Sequence, residues 1–178
     1  RQVFKIYAAV GGAVALISLS CIRVIDVNQP ASAPAGEAFE VALLASVDTD
    51  SSGAAQGLYY GLLAISLPVG WKVEDTKYAG DVRGKLVRAD GEVEPPGPER
   101  AGYQWHVFRT KTAWEAHRYM GRTFDVTLKV KSAPGQGVFE IGYVAGAAPA
   151  AGRRINSERA EWESGEGPAF VTRWVEVK

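Results

Sequence analysis

Phe124-Asp125-Val126-Thr127-Leu128-Lys129-Val130-Lys131 alternates apolar and polar residues without a break. Side chains point to opposite faces of a β-strand with period two, so this stretch puts Phe124, Val126, Leu128 and Val130 on one face and charged or hydroxylated residues on the other. That is the pattern of an antiparallel strand with one face in a core and one in water. The same period recurs outward from it. Phe39, Val41, Leu43, Ala45 and Val47 share a face in residues 39–47, and Val171, Val175 and Val177 do so in residues 171–177. Phe139, Ile141 and Tyr143 mark another strand, and less regular ones fit residues 22–27, 59–67, 72–78, 85–88 and 103–109. Pro30, Pro34 and the run Pro95-Pro96-Gly97-Pro98 fall in the connections, where missing N–H groups do no harm. Residues 113–120 are compatible with one or two helical turns. Residues 145–168, poor in strand patterning and rich in Gly, Ala, Glu and Arg, read as a long surface loop. The expected fold is an all-β antiparallel sandwich of about eight strands.

Composition is consistent with one such domain. The chain has 178 residues, 47% of them apolar and 22% charged, with 20 Gly and 9 Pro for turns. A domain of this size buries a sufficient core without covalent staples. The formal net charge is +0, so no strong field draws nucleic acid, and none is expected as a partner. The single cysteine, Cys21, excludes an intrachain disulfide and argues against a cysteine-based zinc site.

The N-terminal residues address the chain. Arg1 and Lys5 open it, and residues 6–21 carry no charge. That run suits the apolar core of a signal peptide and is short for a membrane span. Ser18-Leu19-Ser20-Cys21 places small residues before a thiol, like the site at which a lipoprotein is acylated and cut. Ser18 stands where that pattern wants an aliphatic residue. The expectation is a lipoprotein-type signal peptide over 1–20, lipidation at Cys21, and one exported domain over 21–178 held to the membrane by its acyl chains. Ile22 is not the acidic residue associated with inner-membrane retention, which favours the outer membrane or cell surface. The competing reading keeps the apolar segment as an N-terminal helix of a pilin-like filament subunit. Lys5, standing where such helices carry glutamate, and Gly11-Gly12 weigh against it.

Candidate chemistry is sparse. Asp48, Asp50 and Ser52 offer alternating oxygen ligands ahead of Gly53, as the start of a calcium loop does, but Tyr59 occupies the twelfth position, where a bidentate Glu belongs. An acidic hairpin turn explains the same residues without metal. His106 and His117 lack a convincing carboxylate partner, and no G-x-S-x-G elbow occurs. Glu92, Glu94 and Glu99 sit in a Pro/Gly-rich loop. No catalytic residues, no cofactor and no enzymatic activity are expected. The aromatics are the better lead. Trp114, Tyr119 and Trp162 fall in loop-like stretches, where exposed rings stack on sugars or anchor proteins. The competing reading has them packing loops onto the sandwich.

Residues 21–30 (CIRVIDVNQP) lead into residues 35–41 (AGEAFEV), and residues 61–71 read GLLAISLPVGW. With Trp105-His106-Val107-Phe108 and the strand pair 124–131 and 138–143, they resemble the immunoglobulin-like domains of Bacteroidetes-type exported lipoproteins, some of which lie near glycan-utilisation genes. The resemblance implies an immunoglobulin-like sandwich, carries no catalytic residues to transfer, and leans toward surface glycans. The functional expectation is a non-catalytic, cell-surface or periplasm-facing binding module for a glycan or a protein. The alternative is a structural or accessory subunit of a surface assembly.

Overall fold

A computed structural model describes residues 22–47, 57–163 and 171–178. Its strands in chain order are β1 (Ile22–Asn28), β2 (Ser32–Ala33), β3 (Ala38–Val47), β4 (Leu58–Pro68), β5 (Lys72–Ala79), β6 (Leu86–Arg88), β7 (Tyr103–Thr110), β8 (Trp114–Glu115), β9 (Thr123–Lys131), β10 (Gly137–Ala151), β11 (Arg154–Ile155), β12 (Glu161–Trp162) and β13 (Val171–Val177). Single 3₁₀ turns at Ala116–Arg118 and Ser157–Arg159 complete the described elements. One sheet has four strands in the order β1-β3-β9-β5. The other has β2-β13-β10-β4-β7-β6 as its main path, with β8 added to β4 and β11 and β12 added to β10. Pairing is antiparallel except between β13 and β2.

The two sheets close over one core, as the alternation requires. On the smaller sheet Ala45 faces Phe124, Leu43 faces Val126, Val41 faces Leu128 and Phe39 faces Val130 across the β3–β9 register, and all eight are buried. Leu63, Ile65 and Leu67 of β4, Ile141 and Tyr143 of β10, and Val175 and Val177 of β13 meet them from the larger sheet. Each of the Val, Leu, Ile and Phe side chains among them contributes roughly 1.5–3 kcal/mol when fully buried. Trp71 seals one end, edge-on to Phe39 at 6.0 Å and tilted against Phe139 at 5.2 Å. The turn delivering it needs Gly70 at φ 89°, closed by the Trp71 amide donating to the Pro68 carbonyl at 3.1 Å.

Residues 145–163 are not a surface loop. β10 runs on to Ala151, and the chain then folds back through β11, a 3₁₀ turn and β12 onto β10 itself. The strand lacks alternation because both faces of this stretch are covered. Ala145 and Ala147 face the inter-sheet core, while Val144 and Ala148 join Leu62, Ala64 and Val107 in a second apolar cluster on the outside of the larger sheet. Ala89 and Val93 from the β6–β7 connection lie on that cluster, with Ile155, Ala160 and Trp162 beside them. A strand buried on both faces reads as a continuous apolar run.

Candidate functional site

Two of the three aromatics singled out above hold the sandwich shut. β8 pairs with the start of β4, Trp114 opposite Tyr59. The Trp114 ring stacks on Phe124 at 5.1 Å, tilts against Tyr78 at 5.4 Å and takes Tyr119 edge-on at 5.9 Å. Tyr119 is also edge-on to Phe124 at 5.9 Å. The rings form a plug, not coplanar exposed platforms. The plug lines an apolar cavity of about 40 Å³ shared with Ile22, Leu43, Gly61, Leu63 and Val126. A space with so little polar lining stays dry.

Trp162 has a similar task on the opposite face of the larger sheet. Its ring packs on the outer cluster and its Nε1–H donates to the Glu94 carbonyl at 2.9 Å. This bond ties the 152–163 segment to the β6–β7 connection. That connection is pinned elsewhere too: the Val107 amide donates to Asp90 Oδ1 at 2.8 Å, and Arg109 Nε donates to Glu92 Oε2 at 2.7 Å. The Arg109 hydrogen bond holds the Glu92 carboxyl below the usual carboxylate range. The other candidate site residues, Cys21 for lipidation and Asp48, Asp50 and Ser52 for calcium, lie outside the described residues.

Both histidines are accounted for. His117 is exposed, 3.9 Å from Glu115. His106 is buried, with Nδ1 at 2.7 Å from Arg88 Nη2 and Nε2 at 3.0 Å from the Gln104 side-chain amide. A guanidinium only donates, so Nδ1 accepts and the neutral ring carries its proton on Nε2, which requires the Gln104 amide to be turned so that its oxygen replaces the nitrogen placed beside it. Burial first, and the Arg88 charge second, push the His106 pKa down. Among the described residues, no group of three or more His, Cys, Asp and Glu comes together to hold a metal ion.

A concavity lies where the covering segments stop. Thr172, Gly142, Ser66 and Trp105 are consecutive cross-strand neighbours over β13, β10, β4 and β7. They face outward in the row next to the covered pair Ala64 and Val107. Three small residues make a low floor, and Trp105, which also packs on the outer cluster, closes one end. Gly97, Pro98 and Arg100 from the β6–β7 connection, and Glu140 from the next row of β10, complete a groove of about 250 Å³. Arg100 Nη1 donates to Glu140 Oε2 at 3.1 Å, and its guanidinium lies 3.7 Å from the centre of the Tyr103 ring. The Glu140 amide donates to the Tyr103 hydroxyl at 3.3 Å. Opposite Glu140 stands Trp174, 60% exposed. Trp105 and Trp174 were not singled out from the sequence, yet Trp174 had a signal: it stands on the polar face of a strand whose Val171, Val175 and Val177 point inward.

The chain is thus a two-sheet β-sandwich with an aromatic-walled groove on the outer face of its larger sheet. No family model matches it, and no curated protein does. AvmM, a solved structure described as catalysing macrocyclization in alchivemycin A biosynthesis, is similar over 89% of each chain with a TM-score of 0.47 and 9% identity. That likeness is too distant to bear on chemistry.

Proposed function

We propose that this protein is a non-catalytic binding module of immunoglobulin-like topology, displayed outside the cell on a lipid at Cys21, and that its outer groove takes a glycan. The observation that carries the reading is the row Thr172–Gly142–Ser66–Trp105: two hydroxyl side chains and an indole wall around a floor that a glycine keeps low. An indole face packs on the C–H face of a sugar ring while hydroxyl, Arg and Glu groups exchange hydrogen bonds with its hydroxyls. The volume lies just under the range of about 300–1,000 Å³ usual for small-molecule pockets, suiting one or two rings of a chain that runs on toward Trp174. The immunoglobulin-like assignment is supported by the short β2 pairing in parallel with the last strand, β13, at a sheet edge.

The position of the groove suits an anchor at Cys21. The Ile22 side chain reaches to 3.2 Å from where a Gly61 Cβ would stand. Ser66 lies five residues further along the same strand, about 17 Å at 3.4 Å per residue. A lipid at Cys21 would therefore leave the groove about 17 Å along the strand from the anchored end.

The test is glycan-array screening, followed by calorimetry with wild type and Gly142→Leu. A Gly142 Cβ would meet nothing closer than the Ser66 Cβ at 3.4 Å, so the strand admits a Cβ there, and the remaining carbons of a leucine would project into the groove; circular dichroism checks that the variant is folded. Wild type is expected to bind and the variant to lose at least tenfold in affinity. Equal binding by both removes the groove from the reading. Intact mass of protein purified from its native membrane tests the anchor: a mass that retains residues 1–20 refutes acylation at Cys21 and favours the assembly-subunit alternative, for which Ile25, exposed on edge strand β1, offers a contact.

A further inference from the structure

Resting on the glycan reading of the groove, we infer that the site selects neutral pyranosides over acidic ones, and that Glu140 sets this preference. Among the described residues, Arg100 is the only cation lining the groove. It is held in place from two sides, by the Tyr103 ring beneath it at 3.7 Å and by Glu140 at 3.1 Å. Stacking on an aromatic face and a carboxylate contact both orient the planar guanidinium before any ligand arrives.

The pair presents one fixed donor group beside one acceptor carboxylate, with a combined charge of zero. A vicinal diol matches that arrangement. One hydroxyl donates to Glu140, and its neighbour accepts from Arg100. A uronic acid does not match it, because its carboxylate can reach Arg100 only by coming beside the Glu140 carboxylate. Like charges brought together in a site disfavour the wrong partner strongly. Among the described residues the remaining lining adds no charge: Ser66, Gly97, Pro98, Trp105, Gly142 and Thr172 are all neutral. Glu140 is thus a specificity residue, present as much to exclude acidic sugars as to bind neutral ones.

The experiment measures binding of neutral hexasaccharides (cello-, xylo-, manno- and malto-series) and of oligogalacturonate to wild type, Glu140→Gln and Gly142→Leu by calorimetry at pH 7. Wild type is expected to bind at least one neutral series and to show no heat with oligogalacturonate. Glu140→Gln is expected to lose roughly fivefold or more for the neutral ligand and to gain measurable, salt-sensitive oligogalacturonate binding through the released Arg100. Circular dichroism checks that the near-isosteric variant is folded. If wild type binds oligogalacturonate as well as it binds neutral sugars, or if Glu140→Gln leaves the preference unchanged, the selectivity inference falls. The groove reading survives that result provided Gly142→Leu abolishes binding. If wild type binds none of these sugars, or Gly142→Leu binds as wild type does, the groove reading falls and takes this inference with it.

Discussion

Replacing Trp114 by alanine separates a packing role from a ligand-binding one. The indole is half-buried and touches three other rings, with Phe124 stacked beneath it at 5.1 Å, Tyr78 at 5.4 Å and Tyr119 at 5.9 Å. Truncating a fully buried Phe or Trp costs about 3–5 kcal/mol, more where the void cannot collapse. Here the void would merge with an existing cavity of about 40 Å³, whose walls are strands pinned by their ladders, so little collapse is expected. Partial exposure lowers the transfer contribution, giving a loss of about 2–4 kcal/mol. For a domain of this length that is roughly 5–15 °C in Tm. Urea denaturation followed by far-UV circular dichroism reads the change, and the unfolding slope m should stay constant. A double-mutant cycle with Phe124→Leu should return a coupling of about 0.5–1.5 kcal/mol, the worth of an aromatic pair beyond its area. Any glycan bound by the wild type should bind the variant within a factor of two. A loss below about 1 kcal/mol, accompanied by weakened glycan binding, would refute the plug and make Trp114 a platform for ligand.

Gly146→Ala should destabilise the protein by about 1–3 kcal/mol, the usual range for overpacking. Its Cβ would come to 2.5 Å from the Glu161 carbonyl oxygen and 2.8 Å from Trp162 Cε3. β12 must lift, and limited proteolysis should cut first within 152–163; unchanged stability and an unchanged cleavage pattern would mean that β12 does not lie on Gly146. His106 predicts an acid-side loss of stability. Its folded-state pKa is lowered by burial and by Arg88, so the unfolded chain takes the proton first. The contribution is fully present above about pH 6.5, the ordinary histidine value, and is lost as pH falls from there toward the folded-state pKa. Denaturant midpoints of His106→Gln should show a flatter slope than wild type over that window, and parallel profiles would refute the assignment.

The strands were legible in the sequence wherever one face meets the core and the other meets water. Residues 124–131, 39–47 and 171–177 are such stretches, and they form the bodies of β9, β3 and β13. The pattern failed at 145–163 for a physical reason. Val144 and Ala148 are buried outward and Ala145 and Ala147 inward, so no polar residue marks a face, and small residues without alternation imitate a loop. Trp162 was misplaced by the same error. Its exposure depended on what covers β10, and the cover is built partly from Val93, Glu94 and Ala89, which lie 68 to 73 residues earlier in the chain. The Trp114 cluster was equally hidden, because a two-residue strand such as β8 has no period to detect. Trp174 was the reverse case, an aromatic on the polar face of a regular strand, where the sequence alone implies exposure.

The groove follows from the same division of the larger sheet. Its outer face is apolar at Leu62, Ala64, Val107, Val144 and Ala148, and the chain spends two separate segments covering that area. One row further along the strands the residues turn small, to Ser66, Gly142 and Thr172, and the cover ends at Gly97, Pro98 and Arg100. Had the floor been built of large apolar residues, the cover would have had to extend over it, since an exposed patch of that kind is an aggregation hazard. Had the cover been shorter, Trp105 would stand on a flat sheet with no wall opposite. Small floor residues and a proline-stiffened edge together leave a walled depression at no loss to the core, because the inward neighbours Ile65, Leu67, Ile141 and Tyr143 remain fully buried beneath it. Substitutions confined to Ser66, Gly142 and Thr172 should therefore alter what the groove admits while leaving the sandwich intact, which is the separation of duties that the proposed binding role requires.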